Sequence, residues 1–412
     1  MYRLFGFIGL LCIVASTFGN GSEADTTAVD QPQLIRLAGF VKTDYWIDSR
    51  AVVGAREDLV NLFPANISLD QQGKDVHADP AFNYSAIASR VALHISGPDA
   101  FGGRVTGLIE ADFTGVTNQD INGMRLRHAF VRIHWEKLDL LLGQWWHPMF
   151  VTDVFPTVAA LNTGAPFQPF IRNPQLTLTY AAGYSKWQFA LIGQRDNASD
   201  GPRGLSPDYL RHAGLPNAHI QWTGYFGKGI VGLAADYKVL RPERITQQGY
   251  YTNERLETFA WMAYGRLRLG QWDLKAKSIY GQNMSEHLML GGYAEASIDP
   301  STGMTTYTPL NHFFSWLNIL YGEQVQGGFF LGYASNLGSR EEINGRYFGR
   351  GSDIAHVYRL APAITFNAGR ISFCTELEYT VAAYGTPDDF GKVKNHNEVG
   401  NLRLLFTALY FF

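Results

Sequence analysis

Charged side chains in this 412-residue chain recur at alternate positions within apolar runs. Over 35–47, Arg36, Lys42 and Asp44 share one parity, while Ile35, Leu37, Val41, Tyr45 and Ile47 share the other. The same split sets Arg90 and His94 against Val91, Leu93 and Ile95. It also sets Asp236 and Lys238 against Val231, Leu233, Ala235 and Tyr237, and Glu376 and Glu378 against Ile371, Phe373, Leu377 and Tyr379. Chemistry that makes or breaks bonds finds little support. No H-E-x-x-H occurs, no serine stands in a nucleophile context, and Ser335–Asn336 has no histidine at a matching position nearby. His128 and His134 share a face, but six extended residues separate them by about 20 Å, too far for one metal site. We therefore expect no enzyme and no resident cofactor, with at most weak Ca²⁺ binding at loop aspartates such as Asp196, Asp200, Asp388 and Asp389. What remains is electrostatic handling of ions.

The charged parity collects Arg36, Lys42, Arg90, Arg104, Arg132, Lys186, Lys238, Arg266, Arg268, Lys275, Lys277, Arg359, Arg370 and Arg403. Against these fourteen bases stand seven acids: Asp44, Glu110, Asp112, Asp236, Asp273, Glu376 and Glu378. The whole chain has a formal net charge of −3, so this face is basic while acidic residues gather elsewhere. If that face lines a low-dielectric channel, it concentrates anions.

The elements that must position these residues are strands. Alternating segments run at about 35–47, 84–96, 102–114, 124–135, 138–146, 175–184, 186–195, 217–226, 229–239, 256–269, 271–282, 313–321, 325–335, 355–366, 370–382 and 397–412. Short turns alternate with long loops, an even-stranded pattern that predicts an all-β, transmembrane antiparallel β-barrel of about sixteen strands. Closure follows because an open edge in hydrocarbon leaves backbone groups unpaired at several kcal/mol each. An Arg at mid-depth on the lipid face costs about 2–4 kcal/mol, so the charged parity must face inward. Tryptophans near strand ends, Trp46 and Trp272 among them, read as an interfacial girdle.

The ends of the chain agree. Residues 1–20 read as a secretory signal peptide, basic at Arg3 and apolar from Leu4 to Val14, followed by a short periplasmic segment at 21–34. Residues 35–412 are expected to form the barrel domain, and Leu402–Phe412, which alternates to a terminal aromatic, resembles the closing strand of outer-membrane barrels, a likeness that implies recognition by the barrel-assembly machinery. Within the barrel, 147–174 holds five prolines together with Phe150, Phe155, Phe167 and Phe170. So aromatic a loop predicts folding back into the lumen as a constriction, with Phe150, Asp153, Phe155, Phe167, Phe170 and Arg172 as its key residues.

The run LRHAFVRI at Leu126–Ile133, followed by LLLGQWW at Leu140–Trp146 and the proline-rich loop, resembles outer-membrane porins. With LAGFVKTD at Leu37–Asp44, it is most similar to the DcaP-like porins, which are related to the phosphate-selective group. The resemblance implies a sixteen-stranded homotrimer in the outer membrane of a Gram-negative-type bacterium, passing small anions such as dicarboxylates. The coiled-coil N-terminal extension frequent in that family has no room here, and the arginine ladder of phosphate-selective members does not map onto this chain. The expected partners are outer-membrane lipid, small anionic solutes, the assembly machinery and two further copies, with no nucleic acid. Two other readings stay open: a barrel with a closed lumen whose loops bind a partner, and a channel for sugars.

Overall fold

A computed structural model describes residues 34–195 and 197–412. The expectations for residues 1–20 and 21–33 lie outside the described residues, as does Asp196. Sixteen strands of the described residues make the barrel wall: β1 (Leu34–Asp48), β2 in two pieces (Ala81–Ser85 and Arg90–Ser96), β3 (Arg104–Asp112), β4 (Arg125–His134), β5 (Leu138–Trp146), β6 (Arg172–Ala182), β7 (Ser185–Ile192) and β8 (Asn217–Phe226). The series continues with β9 (Gly229–Leu240), β10 (Leu256–Leu269), β11 (Trp272–Gln282), β12 (Asn311–Tyr321), β13 (Val325–Gly338), β14 (Ile354–Ala368), β15 (Ile371–Pro387) and β16 (Val393–Phe411). Each pairs antiparallel with the next, and β1 closes on β16 from Phe40↔Phe411 to Asp48↔Arg403. Closure leaves no sheet edge, which is the condition for a sheet to sit in hydrocarbon.

Side-chain alternation divides the wall into two surfaces. Leu37, Val41, Tyr45 and Ile47 of β1, Phe259 and Trp261 of β10, and Leu402, Leu404 and Phe406 of β16 are exposed on the outside. Their neighbours Lys42, Asp44, Asp48, Thr258, Arg403 and Thr407 are buried inside. Short turns close one end of the barrel and long loops crown the other, where the pieces Val52–Ala55 and Val60–Pro64 form a hairpin. A three-stranded cap of Gly291–Ile298, Thr305–Pro309 and Tyr347–Arg350 lies there too, packed on Tyr209 and Leu210 of a one-turn helix, α1 (Asp208–Arg211).

Sixteen strands enclose more space than wall side chains can fill. Here loops occupy part of it. Loop 147–171 lies inside, and Met149, Phe150, Val154 and Phe167 meet Phe314, Trp316 and Phe330 from the wall in one apolar cluster. Leu59, Val60, Leu62 and Phe63 of the hairpin loop join that cluster from the long-loop side. The wall is shaped for this. A Cβ on Gly332 would stand 2.3 Å from the Phe167 ring, so only glycine leaves the ring its seat. Trp46 corrects the girdle reading, being inward, buried and beneath the Arg403 guanidinium rather than at the lipid interface.

Candidate ion pathway

Loop 147–171 is held to the wall by polar bonds on many sides. Lys277 Nζ donates to the carbonyls of Met149 (2.9 Å) and Phe150 (3.1 Å), and Lys275 Nζ donates to Thr157 Oγ1 (2.8 Å). Glu376 accepts from the amides of Ala159 (2.9 Å) and Ala160 (3.3 Å). Lys42 donates to Ala159 O, Arg359 to Ala165 O, and Asn162 to Glu378. Asp153 pairs with Lys186 at 3.3 Å, and its carbonyl accepts from Arg266. These contacts reach β1, β7, β10, β11, β14 and β15, so the loop spans the lumen as a strut.

Where the loop's Phe150 and Phe170 pack on Trp146, β2 to β6 present four guanidinium groups. Arg127 donates to Glu110 (2.7 Å) and Asp112 (2.7 Å), Arg125 grips Asp112 with two 3.0 Å bonds, and Arg90 lies 4.0 Å from Glu110. Arg172 has no carboxylate partner among the described residues. Two acids therefore face four bases. Three guanidinium nitrogens, Arg90 Nε, Arg127 Nη2 and Arg172 Nη1, are buried with no hydrogen-bond partner among the described residues. A buried charged donor without an acceptor is costly, and an anion in reach would relieve it. Arg125, Arg127 and Arg172 line a cavity of about 60 Å³ on the long-loop side, together with Arg56, Thr114 and Asn197. Beneath it lies a larger cavity of about 540 Å³, lined by Lys42, Arg90, Trp146, Phe150, Phe155 and Thr407 among others. Leu161 and Phe170 border both, marking the narrow point between them.

Arg36, Arg104 and Arg268 are inward and exposed toward the short-turn end, with Arg132 half-buried on the same face. Lys42, Arg90, Glu110 and Asp112 sit at or beside the two cavities. Several predicted lining residues are corrected. Arg370 lies in the turn before β15, not on a strand. Lys238, Lys277, Arg359, Arg403, Asp44, Asp236, Glu376 and Glu378 point inward but are buried by loops or by one another and line neither cavity, whereas Arg127 and Arg172, also buried, border the smaller one. Arg403 holds Asp48 through two bonds and Arg359 pairs with Glu378 at 3.2 Å. Arg266 and Lys275 both engage Asp273. Pairing and cover thus remove acids and bases alike: Arg36, Arg104, Arg132 and Arg268 keep a basic excess toward the short-turn end, and Arg90, Arg125, Arg127 and Arg172 form a second basic group beside the two cavities. Within the loop set, Phe150, Phe155 and Phe170 border the cavity. Phe167 is buried against the wall, and Arg172 belongs to β6.

Arg125 and Arg127 escape a strict reading of alternation. In β4 the register slips between Glu110 and Ala111, so Glu110 faces His128 while Ala111 faces Leu126. The bulge turns both Arg127 and His128 inward, where simple parity from Arg132 allows only one. Three arginines within Arg125–Arg132 were the available signal.

At the root of the inner loop, His147 Nε2 meets Asn217 Oδ1 at 3.1 Å and lies 3.7 Å from Asp236. His219 Nδ1 is 3.1 Å from the same carboxylate, and the His287 ring stands 4.7 Å from that of His147. Burial pushes His147 down to about 4, although Asp236 pulls the other way. Lys238 bridges Glu286 and the Asn283 carbonyl beside them. No group of three or more His, Cys, Asp or Glu among the described residues is arranged to hold a metal ion.

No protein-family profile and no curated protein sequence matches the chain. Solved structures do match. The outer membrane channel DcaP of Acinetobacter baumannii aligns with a TM-score of 0.67 at 13% identity, over 94% of this chain and 99% of that one. The anion-selective porin from Comamonas acidovorans gives 0.55 at 10% identity, over 92% and 100%. The trimer form of OmpT from Vibrio cholerae gives 0.53 at 9% identity, over 93% and 100%. The likeness establishes the fold, that of the outer-membrane channels, and meets the expected resemblance to DcaP-like barrels at that level.

Proposed function

We propose that this chain is an outer-membrane channel for passive diffusion of small hydrophilic solutes, preferring anions. The observation that carries the preference is the cluster of Arg90, Arg125, Arg127 and Arg172, in which Arg90 Nε, Arg127 Nη2 and Arg172 Nη1 are buried without acceptors among the described residues. A guanidinium is charged at any physiological pH and matches a carboxylate or phosphate through two parallel bonds. Low-dielectric walls strengthen its field on a passing ion. Glu110 and Asp112 hold the cluster in place without cancelling it. The substrates are then small organic or inorganic anions, and the working unit is a homotrimer, as in the trimer form of the Vibrio cholerae protein.

Reversal potentials across a planar bilayer under a KCl gradient test this reading. We expect chloride to permeate more readily than potassium. Replacing Arg127 and Arg172 together by Gln should lower the permeability ratio about threefold or more. Cation preference in the unaltered protein overturns the proposal. One observation favours a second reading, a closed barrel with a binding surface: loop 147–171 and the hairpin loop fill much of the long-loop half of the lumen. Stable open steps exclude it, and silent bilayers support it.

A further inference from the structure

Resting on the anion-channel reading, we infer that the preferred solutes are organic anions carrying a flat aromatic ring. Three rings form a ladder beside the larger cavity. Trp146 stacks on Phe150 at 4.0 Å and 10°, and Phe150 on Phe155 at 5.1 Å and 27°. Cations cap both ends. Arg172 lies 4.7 Å from the Trp146 centroid and Arg127 5.7 Å, while Lys275 Nζ lies 5.7 Å from the Phe155 centroid. The ring faces are thus taken by neighbours or by cations, and what borders the cavity is ring edges.

An aromatic edge is the positive part of the ring's quadrupole and its face the negative part. A row of edges therefore attracts the negative face of another aromatic ring in the T-shaped arrangement, and a carboxylate as well. It does not offer the open faces on which a sugar ring would lie. The arginine donors stand at one end of the ladder and Arg90, over Phe40 at 5.0 Å, lies on the same cavity wall. A carboxylate can engage Arg90, the guanidinium that lines the same cavity as the three rings, while its own ring rests against their edges. The cavity's volume of about 540 Å³ is ample for a single-ring acid. A solute with charge but no ring uses only half of this site.

Block of the single-channel current by benzoate, cyclohexanecarboxylate and succinate separates charge from ring. Benzoate and cyclohexanecarboxylate share charge and approximate size, and only one is flat with a π face. We expect half-block by benzoate at a concentration about tenfold lower than by the other two. Phe155→Leu should shrink the ratio between benzoate and cyclohexanecarboxylate. Equal block by the two ring acids, or stronger block by succinate, in a channel that still prefers chloride overturns the aromatic inference alone. Potassium preference or absence of conductance overturns the reading beneath it.

Discussion

Lys277 shows how an inward charge can serve structure instead of transport. It is buried, and its ammonium donates to two carbonyls of the inner loop, while Lys275 two residues away is still in contact with the larger cavity's lining. Substituting Lys277 by Met leaves the Met149 carbonyl without a donor inside the barrel, at about 1–3 kcal/mol, and leaves the Phe150 carbonyl with Gln168 Nε2 alone. We expect a lower unfolding midpoint and noisier open-channel current, with ion selectivity little changed. A quiet channel of altered selectivity would contradict the bracing role. Arg172 should respond in the opposite sense, losing selectivity before stability, because it braces no carboxylate among the described residues.

For the inner loop as an element, the root matters most. His147 is its first residue, packed against Asp236, His219, Asn217, Lys238 and His287. An ordinary histidine titrates near 6.5, whereas burial holds His147 at about 4. Between those values a released loop takes up a proton that the anchored loop refuses. Anchoring is therefore complete above about pH 6.5, weakens as pH falls, and stops changing below about pH 4. Burial also lowers His287, which adds to the effect in the same direction. Open-channel noise should rise on acidification from pH 7 to 4.5, and His147→Gln should flatten that dependence. A noise spectrum independent of pH in the unaltered protein would exclude the histidine root as a control on the loop.

At the scale of the whole molecule, the barrel exists only once β16 meets β1. The terminal residue takes part directly, since the amide of Phe412 donates to the Gly39 carbonyl and the amide of Gly39 to the Phe412 carbonyl. Deleting Phe412 removes both bonds and leaves the strand ending on Phe411, which faces the lumen. We expect the yield of heat-modifiable folded barrel in outer membranes to fall severalfold, while any barrel that forms conducts normally. Undiminished assembly would remove Phe412 as part of an assembly signal for this chain.

All sixteen strands were legible in the sequence, and the lipid-facing parity of β1, β10 and β16 with them. A period of two fixes which face a side chain occupies, and hydrocarbon punishes any error in it. The aromatic, proline-rich character of 147–174 likewise announced a loop unsuited to water, and the structure places 147–171 within the barrel. Parity, however, says only that a residue points inward. It cannot tell an inward residue that borders a cavity, such as Arg90, from one covered by a loop, such as Arg359 or Glu376. It also fails at a bulge, which is how Arg125 and Arg127 were missed. Which charges pair across strands, which are covered, and which stand unpaired at the narrow point depend on where two distant loops fold into the same space. Local alternation carries no record of that meeting, so the tertiary structure alone decided it.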